Sequence, residues 1–234
     1  VDDTLVDTRG AFARALSGVA RRYLPHLPEE RHPEVLAAWR ADAGGWYRRH
    51  TRGEIGYLEQ RKARADELHV RFGGTPLDDA EFEAWNTLFE NGFRESWSAH
   101  PDAPEVVRAL VDAGLAVGAL TNAAVAYQTA KLDKAGLTEV PVLVGVDTLG
   151  FGKPDVRVFH EACRRLGTAP ERTAYVGDEL DVDARAAVAA GLVGVWVDRP
   201  GTRRREIPEA DVAAAREAGV HVVASLDEIL PILL

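Results

Sequence analysis

Hydrophobic positions fall into two regimes along the chain. Between residues 8 and 97 they recur at helical spacing: Phe12, Leu16, Val19 and Tyr23, then Val35, Leu36 and Trp39, then Ile55 and Leu58, then Phe82, Trp85 and Phe89. A repeat of three to four residues gathers apolar side chains on one stripe of a helix. Gly44-Gly45, Thr51-Arg52-Gly53 and Gly73-Gly74-Thr75-Pro76 interrupt the pattern and divide it into four or five helices. Four of the five tryptophans, Trp39, Trp46, Trp85 and Trp97, lie in this stretch and are expected to pack its core.

From about residue 102 onward the pattern changes. An amphipathic helix ends in Ala-Gly and a short apolar run follows, at Ala113-Gly114, Ala135-Gly136, Ala190-Gly191 and Ala218-Gly219. Glycine just past a helix tolerates the left-handed backbone that ends it. The runs at 115–120, 140–146, 173–176, 192–197 and 220–223 are continuous rather than alternating, as strands covered on both faces are. Helix and strand in alternation predict an α/β fold with an open, doubly wound parallel sheet. Residues 1–7 and 98–234 then form an α/β core, and 8–97 form an all-helical insertion.

Composition narrows the functional classes. The apolar fraction is 46% and the charged fraction 28%, enough to bury a core. Lys plus Arg number 28 against 37 Asp plus Glu, a net charge of −9. Sequence-independent binding to nucleic acid or an anionic membrane needs a positive footprint, so neither partner is expected. The single cysteine, Cys163, excludes an internal disulfide and a multi-thiolate zinc site. No apolar run approaches the roughly 20 residues of a membrane-spanning helix. Cytoplasmic residence as a monomer or homodimer is the expectation. Arg203-Arg204-Arg205 reads as solvated loop surface.

Four short segments fall where open α/β sheets bind ligands, just past the carboxyl ends of strands. They are Val1-Asp2-Asp3-Thr4-Leu5, Leu120-Thr121-Asn122, Gly152-Lys153-Pro154-Asp155, and the run from Val176-Gly177-Asp178 to Asp183. Clustered carboxylates repel one another unless a cation sits among them, and hard oxygen donors suit Mg²⁺. A lysine and a threonine beside such a metal suit a phosphoryl group. Glu179 and Asp181 read as charges at a helix N-terminus, and Asp3 as structural.

These segments resemble, in order, the four motifs of the haloacid dehalogenase superfamily, in its phosphatase branch with a helical cap. The resemblance covers essentially the whole chain. Val1-Asp2-Asp3-Thr4-Leu5 matches the first motif except for its leading aspartate. Thr121 matches the second motif, Lys153 the third, and Gly177-Asp178 with Asp183 the fourth. The resemblance implies Mg²⁺-dependent hydrolysis of a small phosphorylated metabolite through an aspartyl-phosphate. It places the nucleophilic aspartate immediately before Val1, at the end of a central strand, so an apolar strand ending in aspartate is expected there. It gives Asp2 the role of general acid and base, with its carbonyl and the Asp178 carboxylate as metal ligands. Asp183 would orient Lys153 or a metal-bound water, and Thr121, Asn122 and Lys153 would hold the phosphoryl group. The cap would close over the site; Trp46, Arg49 and Arg52, around Gly53, are its candidate substrate contacts. Rival readings are a phosphomutase, a haloacid dehalogenase, and a binding or regulatory homologue without catalysis. Asp2 and Asp178 argue against the dehalogenase, which needs neither this acid nor a metal.

Overall fold

The computed structural model describes residues 1–52, 54–203 and 206–234. The chain forms two compact units, Thr8–Trp97 and Val1–Asp7 with Ser98–Leu234.

The first unit is helical: α1 (Thr8–Tyr23), α2 (His32–Ala41), α3 (Trp46–Thr51), α4 (Tyr57–Arg71) and α5 (Asp79–Glu95). Asp78 starts α5 by accepting the Glu81 amide at 2.8 Å, and Glu81 accepts the Asp78 amide at 2.9 Å. This reciprocal cap satisfies two donors that a helix end otherwise orphans. Three of the four predicted apolar stripes face inward, with Leu16, Val19, Val35, Trp85 and Phe89 fully buried. The fourth does not, because Ile55 precedes α4 and Leu58 is exposed, α4 burying Ala65 and Leu68 instead. Trp85 lies parallel to Phe89 with centroids 5.4 Å apart, and Phe12 stacks on Phe93 at 4.3 Å. Trp39 and Trp97 are buried too, but Trp46 is not a core residue. It opens α3 half-exposed, with its indole N–H donating to Glu67 at 2.8 Å.

The second unit alternates helix and strand. Its elements are α6 (Ala103–Asp112), β1 (Ala119–Leu120), α7 (Val125–Lys134), β2 (Val142–Val144), α8 (Val146–Leu149), α9 (Val156–Leu166) and β3 (Ala174–Gly177). A π-helical turn (Leu180–Arg185) then runs into α10 (Ala186–Ala189), followed by β4 (Val193–Val197), α11 (Glu209–Glu217), β5 (His221–Val223) and α12 (Leu230–Leu233). Each of the four Ala-Gly junctions carries its glycine at positive φ. All strand pairs are parallel. Alternate residues face opposite sides: Val195 and Val197 join one apolar cluster with α6 and α7, whereas Trp196 joins another with α11. Helices therefore cover both faces, as a doubly wound α/β fold requires. No helix among the described residues is long and apolar enough to cross a membrane.

One expectation is altered. Among the described residues the predicted single sheet is two sheets, β1-β2 and β3-β4-β5. The strands are also shorter than the apolar runs; 115–120 yields a ladder only at Ala119–Leu120. A strand is defined by its hydrogen-bonded neighbours, and β1 and β3 each have a strand partner on one side alone among the described residues. A cavity of about 290 Å³ adjoins both, with Val1, Leu5, Gly118, Leu120, Ala174 and Val176 among its lining.

Candidate active site at the strand ends

Lys153 lies in the loop between α8 and α9, with its ammonium 2.5 Å from Asp183 Oδ1 and 2.8 Å from the Tyr175 hydroxyl. The lysine side chain is 11% exposed and that of Asp183 4%. Burial works against the charged lysine, yet the interactions with Tyr175 and Asp183 hold its pKa above the ordinary value. Burial raises the Tyr175 pKa, so the phenol stays protonated and donates to the Leu120 carbonyl at 3.0 Å. Asp183 is fixed by its position in the π-helical turn, where its Oδ2 accepts the Glu179 amide at 2.9 Å. A Cβ on Gly177 would lie 2.4 Å from the Asp183 carboxylate, which explains glycine in the Gly177-Asp178 pair.

Asn122 ties the second segment to the third. Its side-chain amide donates to the Lys153 carbonyl at 2.9 Å, and its Oδ1 accepts the Lys153 amide at 2.6 Å. The side chain expected to touch substrate is thus committed to the lysine backbone. Thr121 is buried, and its hydroxyl oxygen accepts from the Ala123 amide at 3.2 Å and from Gln128 Nε2 at 3.0 Å. A hydroxyl accepting twice still has its proton to donate.

The first and fourth segments meet through Thr4. Its buried hydroxyl donates to Asp178 Oδ1 at 3.0 Å and lies 3.4 Å from the Asp2 carbonyl. The Asp178 carboxylate and the Asp2 carbonyl are therefore neighbours. No group of three or more His, Cys, Asp or Glu residues among those described forms a metal cage. Mg²⁺ does not need one, since it retains waters and takes one or two carboxylates together with substrate phosphate. This pair of hard oxygen donors fits that ion. The Asp2 carboxylate itself is engaged elsewhere: Lys131 donates to Oδ1, and Gln128 Nε2 donates to Oδ2 at 2.6 Å.

The structure thus brings Asp2, Thr4, Thr121, Lys153, Asp178 and Asp183 to the carboxyl ends of β1 and β3, in one unit. Trp46, Arg49 and Arg52 belong to the helical unit. There Arg49 lies over the Trp46 ring at 4.9 Å, and both arginines reach Glu54, at 3.5 Å and 2.5 Å. Gly53, on which that expectation centred, lies outside the described residues, as do Arg204 and Arg205. Arg203 pairs with Asp198 at 2.6 Å. Asp181 pairs with Arg185 at 2.8 Å, in keeping with a helix-terminal charge.

Three site residues escaped the sequence reading: Tyr175, Gln128 and Lys131. Tyr175 is hidden in an apolar strand run. Gln128 and Lys131 carried a signal, because both are on the face of α7 that buries Leu132. A polar residue on a core-facing stripe needs a partner.

Known proteins resemble this chain in sequence and in fold. A protein of 42% identity over 181 residues is the phosphoserine phosphatase of Thermus thermophilus; the match covers 76% of this chain and 62% of that enzyme. The ribulose-1,5-bisphosphate 5-phosphatase of Halopiger xanaduensis is 31% identical, covering 80% of this chain and 74% of its own. A glyceraldehyde 3-phosphate phosphatase of Methanopyrus kandleri is 33% identical over 125 residues, 50% of this chain and 54% of its own. The chain thus spans less than two thirds of the Thermus and Methanopyrus enzymes. Among solved structures, the magnesium-bound HAD-hydrolase YfnB of Bacillus subtilis superposes with a TM-score of 0.72 at 22% identity, covering 100% of this chain and 95% of that one. The haloacid dehalogenase-like hydrolase profile matches residues 1–191, more than half of the sequence, and the chain belongs to that family.

Proposed function

We propose that this protein is a Mg²⁺-dependent hydrolase of small phosphomonoesters, acting through an aspartyl-phosphate on a residue directly preceding Val1. The observation that carries this reading is the charged Lys153, held by Asp183 beside the strand ends that also bear Thr121 and Asp178. A fixed ammonium and a free hydroxyl proton are what a transferring phosphoryl group needs, because its charge lies on peripheral oxygens. The relatives named above act on phosphoserine, a sugar bisphosphate and a triose phosphate, which have a phosphomonoester in common.

In this reading Lys153 and Thr121 bind the phosphoryl oxygens, and Asp183 keeps the lysine aimed. Asp178 and the Asp2 carbonyl hold Mg²⁺, which supplies charge neutralisation when bound. Asp2 gives a proton to the leaving alkoxide and later takes one from the water that hydrolyses the acyl phosphate. Trp46, Arg49 and Arg52 of the helical unit contribute selectivity for the leaving group.

Two features support a nucleophile before Val1. The Val1 carbonyl accepts the Leu5 and Val6 amides at 2.9 and 3.0 Å, in the turn whose Thr4 hydroxyl donates to Asp178 Oδ1 at 3.0 Å, so the chain before Val1 arrives beside the candidate catalytic groups. A strand leading into Val1 would also run along the cavity beside β1 and β3 and give their free edges a partner. Acid quenching during turnover of a radiolabelled phosphate ester tests the covalent route. The label is expected on the aspartate before Val1, labile to hydroxylamine; turnover without protein-bound label overturns it.

A further inference from the structure

Two side chains of α7 converge on Asp2, and the reading above gives neither a role. Lys131 is 2% exposed and pairs its ammonium with Asp2 Oδ1. Gln128 is fully buried, and its Nε2 donates both to Asp2 Oδ2 at 2.6 Å and to Thr121 Oγ1 at 3.0 Å. Its Oε1 is buried without a hydrogen-bond partner among the described residues. Burying an ammonium and half-satisfying an amide both cost stability that an apolar pair would not. The expense falls beside the one carboxylate that must transfer protons. The residues are three apart on a helix, so one helical face addresses both oxygens of Asp2.

We propose that Gln128 and Lys131 are positioning residues, which together fix the Asp2 carboxylate and register it against the Thr121 hydroxyl. The proposal rests on the phosphatase reading for the role of Asp2, but the contact stands on geometry alone. Each oxygen of the carboxylate has its own donor, so rotation of Asp2 is blocked. Because Gln128 Nε2 is shared with Thr121, a movement of the phosphoryl-binding hydroxyl is felt by the acid. Proton transfer is steep in donor–acceptor geometry, and a displacement of about 1 Å can cost roughly 10²-fold in rate.

The test separates the contact from its catalytic use. Gln128→Leu, Lys131→Met and Lys131→Arg are made in the protein carrying the proposed aspartate before Val1, and kcat/KM is measured on an alkyl phosphate and on p-nitrophenyl phosphate. An alkoxide needs protonation to leave; p-nitrophenolate hardly does. Gln128→Leu is expected to lose at least ~10-fold more on the alkyl ester than on the aryl ester, against a full general-acid effect of about 10²–10⁴. Lys131→Met is expected to lose in the same direction but less, because removing the ammonium also favours the protonated form of Asp2. Lys131→Arg should recover part of the difference. Equal losses on both esters, or none, overturn the positioning role. In parallel, a double-mutant cycle of Asp2→Asn and Lys131→Met is followed by thermal unfolding. Non-additive shifts are expected; additive ones overturn the contact. A wild type inactive on both esters but with a non-additive cycle overturns the phosphatase reading, and with it the role in catalysis, while the contact survives.

Discussion

Lys153 and Asp183, 30 positions apart in the sequence, share a 2.5 Å ion pair buried at the ends of the strands. Neither is isolated: the lysine also reaches Tyr175, and the aspartate also caps the Glu179 amide. The pair therefore locks the loop before α9 to the turn after β3.

Breaking this pair has two separable consequences. Lys153→Met leaves Asp183 as an uncompensated buried carboxylate, which costs about 3–5 kcal/mol for such pairs and should lower Tm. It should also reduce kcat/KM on every phosphate ester by roughly 10²–10³-fold, the scale for losing one fixed donor to a transition state. Thermal unfolding and a substrate panel read the two effects independently. A Lys153→Met enzyme of normal turnover removes the lysine from the phosphoryl site.

Asp2→Asn removes both the acid for the leaving group and the base for the hydrolytic water, so kcat on all esters should fall by about 10²–10⁴-fold, with kcat/KM falling least on p-nitrophenyl phosphate, whose leaving group hardly needs the acid. Substitutions at Trp46, Arg49 or Arg52 should instead reorder the panel through KM and kcat/KM. Uniform losses for these three variants would count against a selective role for this part of the helical unit.

Asp102 contributes to the acid limb of stability. Arg199 donates to both of its oxygens at 2.8 Å, and the Leu226 amide to one of them at 2.9 Å. Burial opposes ionisation, but these bonds hold the carboxyl below its ordinary pKa. A depressed folded-state pKa stabilises the fold above the unfolded value, near ~3.9, and the benefit is lost as pH falls through the folded value. Asp102→Asn should therefore lower Tm by roughly 3–12 °C at neutral pH, from ~1.5–3 kcal/mol per charged hydrogen bond and ~2–4 °C per kcal/mol. The difference from wild type should shrink toward pH 2–3 in thermal scans. A constant difference across that range would assign the acid limb to other groups.

Helix positions in the first unit were legible where burial follows the 3.6-residue stripe, as at Leu16, Val19, Trp85 and Phe89, but not at Ile55 and Leu58, where two apolar residues three apart did not mark a buried face. The Ala-Gly junctions likewise marked helix ends before apolar runs. Strand lengths were less legible, since a ladder depends on what pairs at each edge, and β1 is only Ala119–Leu120. In the site, the chemical types of Asp2, Thr121, Lys153, Asp178 and Asp183 were readable from spacing and resemblance. Their partners were not. Asn122 looked like a ligand-facing amide because sequence does not reveal that Lys153 backbone atoms lie opposite it. Tyr175 looked like one more apolar strand residue, although its hydroxyl joins Lys153 to Leu120. Trp46 looked like core because aromatic content was read without the Glu67 acceptor that draws its indole outward.

The most direct test of the account is inorganic phosphate release from a panel of small phosphomonoesters by the protein carrying the aspartate proposed before Val1, with Mg²⁺ and with excess chelator. Release that requires Mg²⁺ and stops on chelation is the expected result. Undiminished release in excess chelator, or none from any ester with Mg²⁺ present, would contradict it.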